Sequence, residues 1–396
     1  MTETVKDARE KKTKDGFQTT EVTIVGISHF LHDLYTSFLA PALPLIIEKL
    51  GISYGLAGVL HVIQRIPSLL NPAVGIMADR MKMRYLVISA PAVTGMAMSL
   101  IGIAPGYIFL ALLLLVSGIS STIFHVPTPV MVKKIAGERI GKGMSFYMLG
   151  GELARTAGPM VIFGVISLWG LEGTWKMMPL GILASGLMYW RLRHIQISSA
   201  MDTSAWKTNY YKIFLNYLPI FSVTAGITFF LGAMKSSLTL YLPTFMTAQG
   251  ESHFFSDASL SILQLSGAAG TFISGTISDK LGRLATLLII TIISPFLMLI
   301  FLGSTGIWQL VILGIMGFFI FAPTSVLLAL IHDQKTNNMA FLNGTFMLLN
   351  FFISAVMVTA AGFLADKIGF QMTFRYAAFF SFGAVLVVLF NRKRLE

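Results

Sequence analysis

Gly75-Ile76-Met77-Ala78-Asp79-Arg80 and, about 200 residues later, Gly275-Thr276-Ile277-Ser278-Asp279-Lys280 are two copies of one short pattern, each closing a long apolar run. One copy alone reads as an ordinary solvated turn; two at matching places indicate a chain built as a repeat. Two further pairs keep nearly the same offset and order. Ala40-Pro41-Ala42-Leu43-Pro44 is echoed by Leu240-Tyr241-Leu242-Pro243, and Val126-Pro127-Thr128-Pro129-Val130 by Ala322-Pro323-Thr324-Ser325-Val326.

Outward from these motifs, apolar runs fall at about 22–47, 54–78, 85–104, 107–132, 143–169, 174–192, 212–246, 257–278, 284–303, 307–331, 338–364 and 372–390. Each is long enough to cross a hydrocarbon layer of about 30 Å as a helix. The polar interval 193–211 divides these twelve runs six and six. The expected fold is therefore an all-α membrane protein, with twelve transmembrane helices in two pseudosymmetric six-helix bundles. Its parts are a tail (1–20), an N-terminal bundle (21–193), a linker (194–210), a C-terminal bundle (211–391) and a short tail (392–396). A third copy of the glycine–aspartate pattern, Gly362-Phe363-Leu364-Ala365-Asp366-Lys367-Ile368-Gly369, ends the eleventh run on the opposite membrane side. That placement is expected when three-helix units repeat with inverted topology, the pseudosymmetry that alternating access requires.

Composition agrees. Hydrophobic residues make up 55% of the chain and charged residues 12%, against about 25% charged in soluble domains. The net charge of +11 does not indicate nucleic acid, because the basic residues sit at the ends of apolar runs and form no continuous basic face. Most of the 29 lysines and arginines fall in segments that share a side with the N-terminus, which places both termini in the cytosol, with a bacterial inner membrane as the expected location. Residues 1–20 lack the short apolar core and cleavage site of a signal peptide and read as a cytosolic tail. The absence of cysteine excludes disulfides, thiolate catalysis and cysteine metal sites.

An enzyme is not indicated: the chain has no His-Glu-x-x-His, Gly-x-Ser-x-Gly or Gly-x-x-x-x-Gly-Lys motif. No cofactor and no resident metal are expected. Without an ATP-binding domain, energy comes from an ion gradient or from the substrate's own.

Five ionisable residues, Asp33, Arg65, Glu152, Arg155 and Lys235, lie near the middle of expected spans. A charge at the bilayer centre costs at least roughly 2.5–3.5 kcal/mol, so such residues usually face a cavity that handles substrate or protons. His29, His32, Asp33 and Thr36 form one polar stripe at helical spacing, as do His61, Gln64, Arg65 and Ser68 in the second span. Glu152 and Arg155 share a face of the fifth span and, at i and i+3, equally well neutralise each other. Asp33 and Lys235 have no evident local partner, which favours a cavity role. His61 reads better as a hydrogen-bonding structural histidine. Three cations against two carboxylates favour an anionic substrate, with Asp33 or Glu152 carrying the coupling proton. The alternative is a divalent metal held by His29, His32 and Asp33, since imidazole and carboxylate suit several transition metals.

At these residues the chain resembles the major facilitator superfamily, whose loop after the second span has the form Gly-x-x-x-Asp-Arg-x-Gly-Arg-Arg/Lys. The first copy keeps Gly75, Asp79, Arg80 and Arg84 but has Lys82 at the second glycine; the second keeps Gly275, Asp279, Lys280, Gly282 and Arg283. The resemblance implies that these carboxylates cap a neighbouring helix and latch one conformation, making Gly75, Asp79, Arg80, Gly275, Asp279 and Arg283 latch residues. Gly150-Gly151-Glu152, Arg155 and Gly158-Pro159 resemble the fifth-span motif of drug and proton antiporters. Ser117-Gly118 through Phe124-His125, with Gly150-Gly151 and His32-Asp33, is most similar to the fosmidomycin-resistance branch of efflux proteins, although Val126-Pro127 stands where that branch has Pro-Glu.

The implied function is secondary active transport by alternating access: a proton-coupled efflux antiporter for a small anionic or drug-like molecule, monomeric and surrounded by membrane lipid. The substrate would meet His29, His32, Asp33, Arg65, His125, Arg155 and Lys235; protons would use Asp33 and Glu152. A divalent metal transporter and an organic-anion uptake symporter are the alternatives.

Overall fold

The computed structural model describes residues 16–71, 74, 83–137, 140–195, 210–334 and 339–395. Each of the twelve apolar runs is helical over its described part, and no strand occurs among the described residues. The first run gives α1 (Thr19–Thr36) and α2 (Leu39–Leu50), and the second gives α3 (Tyr54–Arg65) with a tight turn of helix over Ile66–Leu70. The third to sixth runs supply α4 (Arg84–Ser99), α5 (Tyr107–His125), α6 (Thr128–Ala136), α7 (Ile140–Trp169) and α8 (Met178–Leu192). The break between α5 and α6 falls at Val126-Pro127, where proline removes a backbone donor.

In the second half α9 (Tyr210–Ala248), α10 (His253–Leu281), α11 (Arg283–Gly303), α12 (Ile307–Phe321) and α13 (Pro323–His332) follow, then α14 (Met339–Ser381) and α15 (Gly383–Phe390). Pro323 opens α13 just as Pro127 precedes α6, so the sequence repeat becomes a repeated break in corresponding spans. The last two expected spans share one run, Phe341–Phe390. Gly369, at φ 73°, separates them in a left-handed conformation that glycine adopts without a Cβ penalty. The fifth and sixth runs meet at a bend of 116°.

The chain forms two compact units. Unit one holds residues up to 38, 66–158 and 164–202. Its core gathers Val22, Val25, Val87, Phe124, Val132, Tyr147 and Met188, and small polar groups bond across helices inside it. Thr94 donates to Ser120 (2.8 Å) and Ser120 to the Ala90 carbonyl (2.9 Å), while Ser185 accepts from the Ala92 amide (2.8 Å). Such bonds add to close packing where lipid supplies no hydrophobic drive between helices.

Unit two holds residues 39–65, 159–163 and 203–396, with a core around Phe221, Ile227, Ile290, Val326, Leu330 and Phe346. Ser274 bonds to Ser325 (2.7 Å) and to the Ala322 carbonyl (3.0 Å), and Ser381 donates to the Phe230 carbonyl (2.9 Å). Outward faces are apolar in both units, as Leu168 (74% exposed) in unit one and Phe272 (86% exposed) in unit two show, which is a surface fit for lipid.

Candidate functional site

The polar stripe of α1 meets the end of α5 inside unit one. His29 Nε2 lies 3.2 Å from Asp33 Oδ2 and 3.2 Å from His125 Nε2, and His125 Nε2 lies 3.1 Å from Asp33 Oδ1. The i,i+4 spacing of His29 and Asp33 brings them together on α1. Asp33 therefore has local partners, contrary to the sequence expectation that it stands alone.

Two histidine tautomers follow from what the other ring nitrogens touch. His29 Nδ1 is 2.6 Å from the Tyr147 carbonyl and His125 Nδ1 is 2.9 Å from the Ser121 carbonyl. A carbonyl only accepts, so His29 Nδ1 carries hydrogen and its neutral Nε2 presents a lone pair; His125 Nδ1, which also lies 3.2 Å from the Ser121 hydroxyl, takes the same tautomer when it donates to the shorter carbonyl contact. Two lone pairs and a carboxylate thus converge on one point. Asp33 Oδ1 meets no hydrogen bond of regular geometry despite its 3.1 Å neighbour. His29 and Asp33 are buried, whereas the His125 side chain is 37% exposed and opens the cluster on one side.

Gly151 on α7 makes this approach possible. A Cβ there would lie 2.7 Å from His29 Cε1 and 3.1 Å from Asp33 Oδ2, and one on Gly150 would strike the Gly26 carbonyl. Glycine at both positions lets α7 press onto α1 and leaves the Tyr147 carbonyl open to the His29 ring, which also stacks on Tyr147 (4.0 Å between centroids).

His32 does not join the cluster. It is fully buried with neither ring nitrogen bonded, and its ring stacks on Phe124 at 4.4 Å. Among the described residues, the group of three donors whose atoms lie within 4.8 Å of one another is His29, Asp33 and His125; the set His29, His32 and Asp33 is not assembled. Glu152 and Arg155 form an ion pair at i,i+3, both side chains at least a third exposed, as the neutralising reading anticipated.

Lys235, also expected to lack a local partner, donates to Thr324 Oγ1 (2.8 Å) and lies 4.6 Å from the centre of the Phe321 ring, both in unit two. Arg65, at the end of α3, is exposed and belongs to unit two, and His61 is half-buried there.

Gly75, Asp79 and Arg80 lie outside the described residues. In the second copy, Arg283 Nη1 donates to Asp279 (2.6 Å) and Arg283 Nε to Asp333 (3.1 Å). Asp333, which follows α13, carries no motif spacing that would reveal it from sequence. Gly275 leaves open space, the Ser325 hydroxyl being 4.0 Å from where its Cβ would stand.

Comparison with known proteins agrees with this architecture. The model of the Major Facilitator Superfamily matches residues 25–358. The chain is 22% identical over 382 residues to the Fosmidomycin resistance protein of Escherichia coli (strain K12), covering 93% of this chain and 92% of that protein. It is 23% identical over 384 residues to the uncharacterized MFS-type transporter YfnC of Bacillus subtilis (strain 168), covering 92% and 91%. Among solved structures, a bacterial homolog of the human lysosomal transporter Spinster, inward-facing and unoccupied, superposes with a TM-score of 0.79 at 13% identity, covering 96% of this chain and 98% of that one. A D-xylose-proton symporter gives 0.69 at 14% identity, with coverage of 96% and 98%.

Proposed function

We propose that this chain, which belongs to the major facilitator superfamily and is a multi-pass membrane transporter and not an enzyme, couples alternating-access transport to a proton bound by His29, Asp33 and His125. The observation that carries this reading is the convergence of three proton acceptors within 3.2 Å of one another. Buried acceptors without a donor are costly. One proton removes that cost by turning one Nε2 into a donor toward Asp33. Loss of the proton on the side where the cluster opens restores the repulsion, so occupancy and conformation are coupled.

For the substrate we propose a small anionic or drug-like molecule exported against the incoming proton, from a cytosol that holds both termini. Support comes from Lys235, whose ammonium is held by Thr324 and Phe321, and from likeness to a protein named for fosmidomycin resistance. Glu152, already paired, takes second place to Asp33 as proton carrier.

The test is pH-gradient-driven flux of an anionic phosphonate into sealed proteoliposomes. Asp33→Asn supplies an amide N–H to the two imidazoles and so mimics the protonated cluster. Gradient-driven flux should disappear while substrate exchange at equal pH persists. Full gradient-driven flux in Asp33→Asn would eliminate the cluster as the proton site. A metal-dependent flux, with cobalt(II) giving ligand-field absorption that vanishes in His125→Ala, would replace the proton by a metal ion.

A further inference from the structure

The third glycine–aspartate pattern takes no part in the proton cluster, yet its surroundings within unit two are closely built. Asp366, shortly before the Gly369 break, accepts from the Tyr54 amide through Oδ1 (2.7 Å) and from the Gly55 amide through Oδ2 (2.9 Å). These are the first two amides of α3, which have no partner within their own helix. The carboxylate therefore caps a helix far away in sequence and meets the positive end of its dipole. Tyr241 of α9 completes the contact by donating its hydroxyl to the Tyr54 carbonyl (2.7 Å).

The glycines around this contact are required by space. A Cβ on Gly58 would stand 2.6 Å from the Tyr241 hydroxyl, and one on Gly362 would strike that hydroxyl and the Tyr54 carbonyl. The Phe363 ring occupies the place of a Gly55 side chain. Three helices, α3, α9 and α14, thus meet through bonds that depend on Asp366 and Tyr241.

We propose that Asp366 and Tyr241 form a clasp on the second span which closes the transport pathway at the end opposite the Lys/Arg-rich loops, and that opening this clasp is a step of the cycle. The inference rests on the alternating-access reading above. Its physical basis is that residue 65 of unit two runs directly into residue 66 of unit one. Any motion that carries the second span with unit one must break both Asp366 bonds and the Tyr241 bond. Asp366 acts through the α3 terminus and touches no substrate, so it is a gating residue.

The chain contains no cysteine, so paired spin labels can be introduced without removing native thiols. Glu48→Cys and His253→Cys, both exposed, would report the separation of the end of α2 from the start of α10 by electron–electron resonance in detergent and in proteoliposomes. Asp366→Asn, which keeps the shape but loses the charge and one acceptor, should raise the ratio of long to short distances about fivefold, equivalent to about 1 kcal/mol for a helix cap. Tyr241→Phe should shift the ratio in the same direction, and Asp366→Glu should restore part of the closed population. Melting temperatures of these variants are expected near that of the parent, which a merely structural role would not allow. Two distance populations whose ratio ignores Asp366→Asn, Asp366→Ala and Tyr241→Phe would overturn the clasp and leave alternating access standing. A single distance in every variant and at every pH gradient would overturn both.

Discussion

Replacing Gly151 by alanine probes the proton cluster without touching a titratable group. The new Cβ would stand 2.7 Å from His29 Cε1, 2.9 Å from His29 Nε2 and 3.1 Å from Asp33 Oδ2. Comfortable carbon contacts begin at about 3.5 Å, so the His29 ring must retreat by roughly 0.8 Å. It has little room to do so, because Tyr147 stacks on the ring at 4.0 Å and the Tyr147 carbonyl holds Nδ1 at 2.6 Å. If the ring stays, overpacking costs about 1–3 kcal/mol. If it moves, the 3.2 Å contact with Asp33 is broken and the proton loses one of its three acceptors. Either way, about 1–3 kcal/mol corresponds to a fall of about 5- to 150-fold in proton-driven flux. The assay is flux into proteoliposomes under a pH gradient, beside exchange at equal pH and thermal unfolding. Gly164→Ala on the same helix is the control: its Cβ would meet nothing within 4 Å, and alanine favours helix by up to about 1 kcal/mol, so flux should be unchanged. Wild-type gradient-driven flux in Gly151→Ala would refute both the packing argument and the cluster.

Lys235→Gln should weaken binding of an anionic phosphonate about tenfold by calorimetry while leaving an uncharged probe unaffected, because it deletes the fixed cation beside Thr324 and Phe321; equal loss for both probes would count against an anion site. Arg283→Gln, which cuts both carboxylate contacts, should slow turnover more than Asp279→Asn, which leaves the Asp333 bond in place. With partly exposed ion pairs contributing about 0.2–1 kcal/mol each, the difference is about 1.4- to fivefold, and identical turnover in the two variants would remove Asp333 from the latch.

The fold was legible because hydropathy and repetition are collective signals. Twelve runs, each satisfying its backbone internally, leave little freedom in fold class, and the prolines at 127 and 323 mark the same helix break in both halves. Less legible was which residues cluster together. Leu39–Arg65 lies in the N-terminal half of the sequence but packs within unit two, and hydropathy carries no information about partners. Asp366 shows the limit: its motif was visible, but the amides it caps belong to a helix start about 300 residues away, and main-chain donors have no sequence signature.

At the proton cluster the same distinction holds at atomic scale. His29 and Asp33 were readable from their spacing, and His125 from resemblance, but His32 stood on the same stripe and is turned onto Phe124 instead. What separates the two α1 histidines is the neighbour each meets: the side of Gly151 that lacks a side chain admits the His29 ring to a backbone carbonyl, whereas His32 meets an aromatic face. Once both Nδ1 atoms are committed to carbonyls, the two Nε2 lone pairs and the carboxylate have no donor left among themselves. In the proposed proton site, demand for a proton therefore arises from helix packing as much as from the titratable residues, and the proposal makes Gly151, which has no chemistry of its own, part of the coupling machinery.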